Sequence, residues 1–346
     1  MDGYREGQAG PGVPRREERM IMRAIQVDRY GGPEVLQVAG VADPSAGPGQ
    51  VVVEVAAADV LFLDCQVRGG WGEMFGVVPP YVPGNGVAGV VVSLGDGVDS
   101  KWLGRQVVAV TAAAGPQGGY AERAVVSESG LVAVPGDPGV GRQGLSLLHD
   151  GPTALTLARN AAIRPGERVL VTGAAGGLGI LLVQLTIAAG GHVVAAARGE
   201  RKLELLRSLG AEAVDYSAPD WTRIVRRETG DAGPDVILDG VGGQIGQDAF
   251  TVIAPGGRFS AHGAPSGSFA QIDPAEAERR SLTVRGIEQV QFDPADLPPL
   301  VEQALAEVSA GRIEPVIGQS FPLIEAAQAH RSIESRDTLG KTLLLP

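Results

Sequence analysis

The chain is short of the residues that build bridges, metal centres and stacking platforms. Its single cysteine, Cys65, excludes an intrachain disulfide and fits a reducing compartment, so a cytoplasmic protein is expected. Only four histidines accompany it, His149, His192, His262 and His330. A zinc site needs three or four converging thiolate or imidazole ligands, so no metal is expected. Aromatic residues make up 4% of the chain, too few for a platform on which bases stack. Positive charge is also in deficit: 29 Lys and Arg against 40 Asp and Glu leave a net charge of −11, which disfavours nucleic acid and anionic membrane surfaces. No uninterrupted apolar run approaches the length of a membrane span. Residues 1–21 hold no apolar core of the kind a secretory signal carries and read as a disordered leader.

What is abundant is glycine, alanine and valine, arranged in short apolar runs. The most informative is Arg168-Val169-Leu170-Val171-Thr172 followed by Gly173-Ala174-Ala175-Gly176-Gly177-Leu178-Gly179 and the apolar Ile180 to Leu185. A strand ending in a glycine turn that opens a helix lets a pyrophosphate approach main-chain N–H groups at the helix N-terminus. The pattern departs from strict G-x-G-x-x-G in having Ala174 for its first glycine.

Further strands are predicted at 192–197, 213–216, 235–239, 257–263 and 281–286, with helices at 200–209 and 219–229 among them. Such alternation predicts a doubly wound parallel sheet, an α/β fold. Upstream, β-branched runs at 35–38, 50–55, 87–92, 106–110 and 120–126 alternate with Gly and Pro clusters, which predicts a small β-barrel. A helical pattern at 300–305 and an apolar end at 341–345 suggest that the chain returns to that first unit. The expected division is a barrel-type domain from 22–146 and 287–346 around a nucleotide-binding domain at 147–286, with a ligand cleft between them.

The second strand of the sheet ends Ala195-Ala196-Ala197-Arg198, without the acid that grips a ribose 2′-hydroxyl. Arg198 and Lys202 instead place positive charge where a 2′-phosphate would lie, although cations at a helix start oppose its dipole. The cofactor expected is NADPH.

The opening Met22-Arg23-Ala24-Ile25, the segment Tyr30-Gly31-Gly32-Pro33-Glu34-Val35-Leu36, Pro83 to Gly89, Gly118 to Glu122, the glycine turn and Gly340-Lys341 together resemble the zinc-free quinone oxidoreductase (zeta-crystallin-like) branch of the medium-chain dehydrogenase/reductase superfamily, over nearly all of 22–346. The resemblance implies a GroES-like catalytic domain, a Rossmann domain and a homodimer. It implies cofactor contacts at Thr153, Ala175, Gly176, Gly177, Leu178, Gly240, Val241, His262, Gly263 and Lys341, with Lys202 and Tyr216 at the phosphate. Its zinc-ligand position falls at Gly84-Asn85-Gly86, which holds no histidine.

The family's Asn-x-x-Asp/Glu segment aligns with Leu61-Phe62-Leu63-Asp64, so a leucine replaces the asparagine. The segment from Leu61 to Trp71 is the facing wall of the cleft, and the substrate pocket is assigned to Leu61, Asp64, Arg68, Trp71 and Tyr81. Asp64 is expected to be structural. Arg68, Trp71, Tyr81, Asn85 and Tyr120 are candidates for polarising a carbonyl, and no catalytic residue is assigned. The function implied is hydride transfer to a small hydrophobic acceptor, a quinone or activated α,β-unsaturated carbonyl. A reductase of polyketide-like or thioester intermediates, and an NADPH-binding protein without turnover, are the alternatives.

Overall fold

A computed structural model describes residues 21–111 and 118–346; the expected leader otherwise falls outside them. Ile21, placed in that leader above, is already the first residue of β1 (Ile21–Val27), which pairs antiparallel with β2 (Leu36–Ala42). The long β3 (Gln50–Val60) leads into α1 (Phe62–Gln66). Strands β4 (Gly86–Leu94), β5 (Gln106–Val110), β6 (Arg123–Ser127) and β7 (Val132–Ala133) complete this part before helices α2 (Pro138–Leu147) and α3 (Asp150–Ala161). Val51, Val53, Val55, Val87, Val91 and Val107 are buried in one core here, as alternating β-branched residues on a sheet face require.

The second sheet is built from β8 (Arg168–Thr172), α4 (Gly177–Ala188), β9 (His192–Ala197), α5 (Glu200–Ser208), β10 (Glu212–Asp215), α6 (Trp221–Glu228), β11 (Val236–Asp239), α7 (Gly243–Val252), β12 (Arg258–Ala261), α8 (Pro274–Arg279) and β13 (Thr283–Arg285). All its pairings are parallel, in the order β10-β9-β8-β11-β12-β13. The apolar strands serve both faces. Val169, Val171, Val193 and Ala195 pack with α4 and α5 on one side, while Leu170, Val194 and Ala196 pack with Trp221, Val225 and Phe250 on the other.

The tail holds α9 (Leu297–Ser309), β14 (Ile317–Pro322), α10 (Ala326–Glu334) and β15 (Lys341–Leu345). β15 pairs antiparallel with β3 and parallel with β14, so the C-terminus joins the sheet of β3 to β5. The expected β-rich end is thus interrupted by a helix. Its apolar positions, Ala326, Ala329 and Ile333, recur at helical spacing against the barrel core.

Candidate active site

The glycine turn after β8 opens onto a cleft of about 310 Å³ between the two sheets. Gly173 adopts φ 65, a left-handed conformation suited to glycine, and turns the chain into α4. Gly176 caps that helix without a side-chain bond, leaving first-turn N–H groups for an anion. A Cβ on Gly177 would meet Asp150 Oδ2 at 2.2 Å and Lys341 Cδ at 2.6 Å, so only glycine lets those side chains reach the turn.

Lys341 and its carboxylates tie the cleft floor together. Its ammonium lies 3.4 Å from Asp150 and 3.5 Å from Asp59, both partners coming from other elements. Burial opposes the charge on Lys341, but Asp150 and Asp59 outweigh it and hold the group above its ordinary value. The backbone joins too, since Gly340 N–H donates to Ala175 O at 2.9 Å.

Asp239, at the end of β11, accepts from Thr172 Oγ1 at 2.7 Å and from the Val241 and Gly242 N–H groups at 3.1 Å each. It therefore shapes the Gly240-Val241 lining, a role not read from the sequence. His262 lines the same wall and is bonded to Ser260 at 3.1 Å; burial lowers it to about 4, so it is a neutral imidazole.

At the far end Lys202, Tyr216 and Arg336 line the cleft. Lys202 donates to the Arg336 carbonyl, and Arg336 donates to Pro265 O at 2.6 Å. Arg336 holds φ 60, an uncommon conformation for a side chain of its size, which these two bonds support. Burial, with Arg198 and Arg336 nearby, pushes Lys202 below its ordinary value against the pull of Asp337. Arg336 was missed because it lies in an irregular turn remote in sequence from the β9–α5 segment.

Gly176, Gly177, Leu178, Lys202, Tyr216, Gly240, Val241, His262 and Lys341, with Leu61 of the substrate wall, line one cleft. Four others do not line it. Ala175 is buried under the turn, the Thr153 hydroxyl donates to His149 O at 2.9 Å, and Arg198 reaches the Ser335 carbonyl at 3.0 Å. Gly263 packs on Gly240, where a Cβ would meet backbone at 2.2 Å.

The substrate wall needs two corrections. Arg68 is 1% exposed and faces away from the cleft: it ion-pairs with Glu334, donates to Gly31 O and contacts His330 Nδ1 at 3.3 Å. A guanidinium so buried needs all its partners and therefore pins the segment that follows α1 to α10. Trp71 is 39% exposed and lines neither the cleft nor the adjoining cavity, because the chain has already turned outward after Gly70 at φ 127. Asp64 and Tyr81 do line that adjoining cavity, of about 140 Å³, together with Asn85. Tyr120 is fully buried, its hydroxyl 3.1 Å from both Asp64 and His330. Cys65 is buried and its thiol pushed up to about 12 by that burial, which makes it unreactive. Among the described residues no three His, Cys, Asp or Glu side chains gather as a metal would require.

Residues 47–136 match the alcohol dehydrogenase GroES-like domain and residues 177–306 the family described as zinc-binding dehydrogenase. The quinone oxidoreductase of Sus scrofa is 31% identical over 94% of this chain and 98% of its own length. The 2-haloacrylate reductase of a Burkholderia species is likewise 31% identical, over 94% and 99%. Among solved structures, a Pseudomonas syringae quinone oxidoreductase superposes with a TM-score of 0.83 at 29% identity, covering 94% of this chain and all of the other. A mycobacterial protein solved in complex with NADPH superposes at 0.82, also 29% identical, covering 94% and 100%. These likenesses run over nearly the full length of both chains, and the chain belongs to the medium-chain dehydrogenase/reductase superfamily, on its quinone oxidoreductase branch.

Proposed function

We propose that the chain is an NADPH-dependent reductase of quinones and activated α,β-unsaturated carbonyls. The observation that carries the cofactor choice is the group Lys202, Tyr216 and Arg336 at one end of the cleft, where β9 ends without an acid. Lys202, depressed by burial and by neighbouring cations, gains most from a phosphate anion. The relatives named quinone oxidoreductase and 2-haloacrylate reductase support the acceptor class.

The α4 N-terminus would hold the pyrophosphate, and Gly240, Val241 and His262 would flank the rest of the dinucleotide. Bound NADPH supplies the hydride; the protein supplies position and charge stabilisation. Leu61 and Phe62 form an apolar stretch of cleft wall, which excludes water and suits a hydrophobic acceptor. The reading includes a cytoplasmic homodimer that binds neither nucleic acid nor membrane; the exposed strand β13, at the sheet edge, suits pairing with a second copy. No helix among the described residues is long and apolar enough to cross a membrane.

The test is turnover: purified protein with NADPH and a panel of quinones and enones, followed by loss of the NADPH absorbance. Consumption dependent on acceptor is expected, and tight NADPH binding with no acceptor turned over would reject the reading.

A further inference from the structure

Among the described residues on the wall of the cavity beside the cleft, one is charged, Asp64. Leu61 and Phe62 line the cofactor cleft and Leu63 and Asp64 line this cavity, so the two spaces adjoin at the start of α1. Two buried polar atoms, Tyr81 Oη and Asn85 Oδ1, have no partner among the described residues and belong to cavity-lining side chains, as in a pocket that awaits a polar ligand.

The hydrogen bonds around Asp64 have a direction. Arg68 has only donors, so its Nε–H makes His330 Nδ1 an acceptor. Burial, with the Arg68 charge, lowers His330 to about 3, so the ring is neutral and its one hydrogen sits on Nε2. That N–H donates to Tyr120 Oη at 3.1 Å, and the tyrosine donates in turn to Asp64 Oδ2 at 3.1 Å. Leu61 N–H donates to the same oxygen at 2.8 Å. Oδ2 is thus supplied with two donors, while Oδ1 bonds no described residue. A proton on this carboxyl belongs on Oδ1. Burial and, after it, the Asp59 charge raise Asp64 to about 7, against the pull of Leu61 N–H, Tyr120 and Lys341. Cys65 and Tyr81 also face it, and their own raised values reflect its charge as well as burial.

We infer that Asp64, as a carboxylic acid, is the proton donor when an activated alkene that reaches from this cavity to the adjoining cofactor cleft is reduced, a role that rests on the reductase reading above. The substrate's β-carbon gains the hydride that bound NADPH would supply by giving up a C–H bond, and the alkene π pair moves toward the electron-withdrawing group as an enolate. The Asp64 Oδ1–H bond then breaks as the α-carbon–hydrogen bond forms, and its electron pair stays on the carboxylate. Water from the cavity mouth reprotonates Asp64, so each turnover consumes one hydride and one proton.

Asp64→Asn is the test, since the amide oxygen can still accept from Leu61 and Tyr120 but the group has no acid proton. General acids contribute about 10²–10⁴-fold, so kcat for an enone such as methyl vinyl ketone should fall about 10²-fold or more. The wild-type kcat should fall as pH rises through about 7, and the variant should lose that dependence. A readout without cofactor runs in parallel: the infrared band of a protonated carboxyl should be present in the wild type below neutrality, titrate away near it, and be missing from Asp64→Asn. Should that variant not fold, Tyr120→Phe removes one donor to the carboxylate and must shift the band's titration upward. An absent band, an unshifted midpoint in Tyr120→Phe, or an Asp64→Asn enzyme as fast as wild type on the enone overturns the assignment. A wild type that consumes NADPH with neither quinone nor enone rejects the reductase reading, and the donor role with it.

Discussion

Lys341 Nζ stands 3.5 Å from Asp59 Oδ2, a contact between the last strand and the third that is closed off from solvent at both ends. Asp59 is 0% exposed and Lys341 5%, so neither side chain has water to replace its partner. Removing one partner of a buried pair typically costs about 3–5 kcal/mol, because the other charge is left without compensation. Lys341→Met should destabilise the fold by about that much, and the double variant with Asp59→Asn should recover part of the loss. Urea denaturation of the single and double variants measures both; a Lys341→Met protein as stable as wild type contradicts the assignment.

The phosphate contacts should show in affinity. Charge-assisted hydrogen bonds are worth about 1.5–3 kcal/mol, so Lys202→Ala and Arg336→Ala should each weaken NADPH binding by about tenfold or more. NADH affinity should hardly change. Fluorescence titration of both nucleotides against both variants is the measurement, and equal wild-type affinity for NADPH and NADH would remove the basis of the cofactor choice.

Acid should destabilise the protein through its buried imidazoles. Burial lowers His262 from 6.5 to about 4 and His330, with Arg68 adding to it, from 6.5 to about 3. Below 6.5 the unfolded chain takes up protons that the folded chain refuses, so the contribution is whole above 6.5 and shrinks as pH falls toward the folded values. His262→Asn should flatten the fall in unfolding free energy between neutral pH and pH 5 by about 1–2 kcal/mol. An unaltered slope would show that His262 is not held neutral.

The position of the pocket makes Trp71 and Phe75 a contrasting pair. Phe75 lines the cavity beside Asp64, whereas Trp71 lines neither space. Truncating a ring that packs on the acceptor should lower kcat/KM for phenanthrenequinone by about tenfold, in line with about 1.5 kcal/mol of lost apolar contact. Trp71→Ala should leave it within about twofold. An acceptor preference for short enals over aromatic quinones would contradict the apolar wall formed by Leu61 and Phe62.

The sheet was legible in the chain because its signals are local. Val169 and Leu170 point to opposite faces by strand geometry alone, and the turn at Gly173 follows from adjacent residues, so run length and glycine spacing suffice to place β8 and α4. The placing of Lys202 and Tyr216 at one site rested on resemblance to a known arrangement of strands and not on a local signal. What only the tertiary structure decided are contacts that no periodicity encodes. Arg68 meets His330 across 262 residues, Tyr120 meets His330 across 210 and Asp64 across 56. Arg68 therefore looks in sequence like a pocket residue and becomes a buried tie. Asp64 is expected from the sequence to be structural, and only the fold brings Tyr120 and His330 in behind it. A side chain's burial and partners are set by whichever distant segment packs against it, here α10, and that is a property of the folded arrangement rather than of any stretch of the chain.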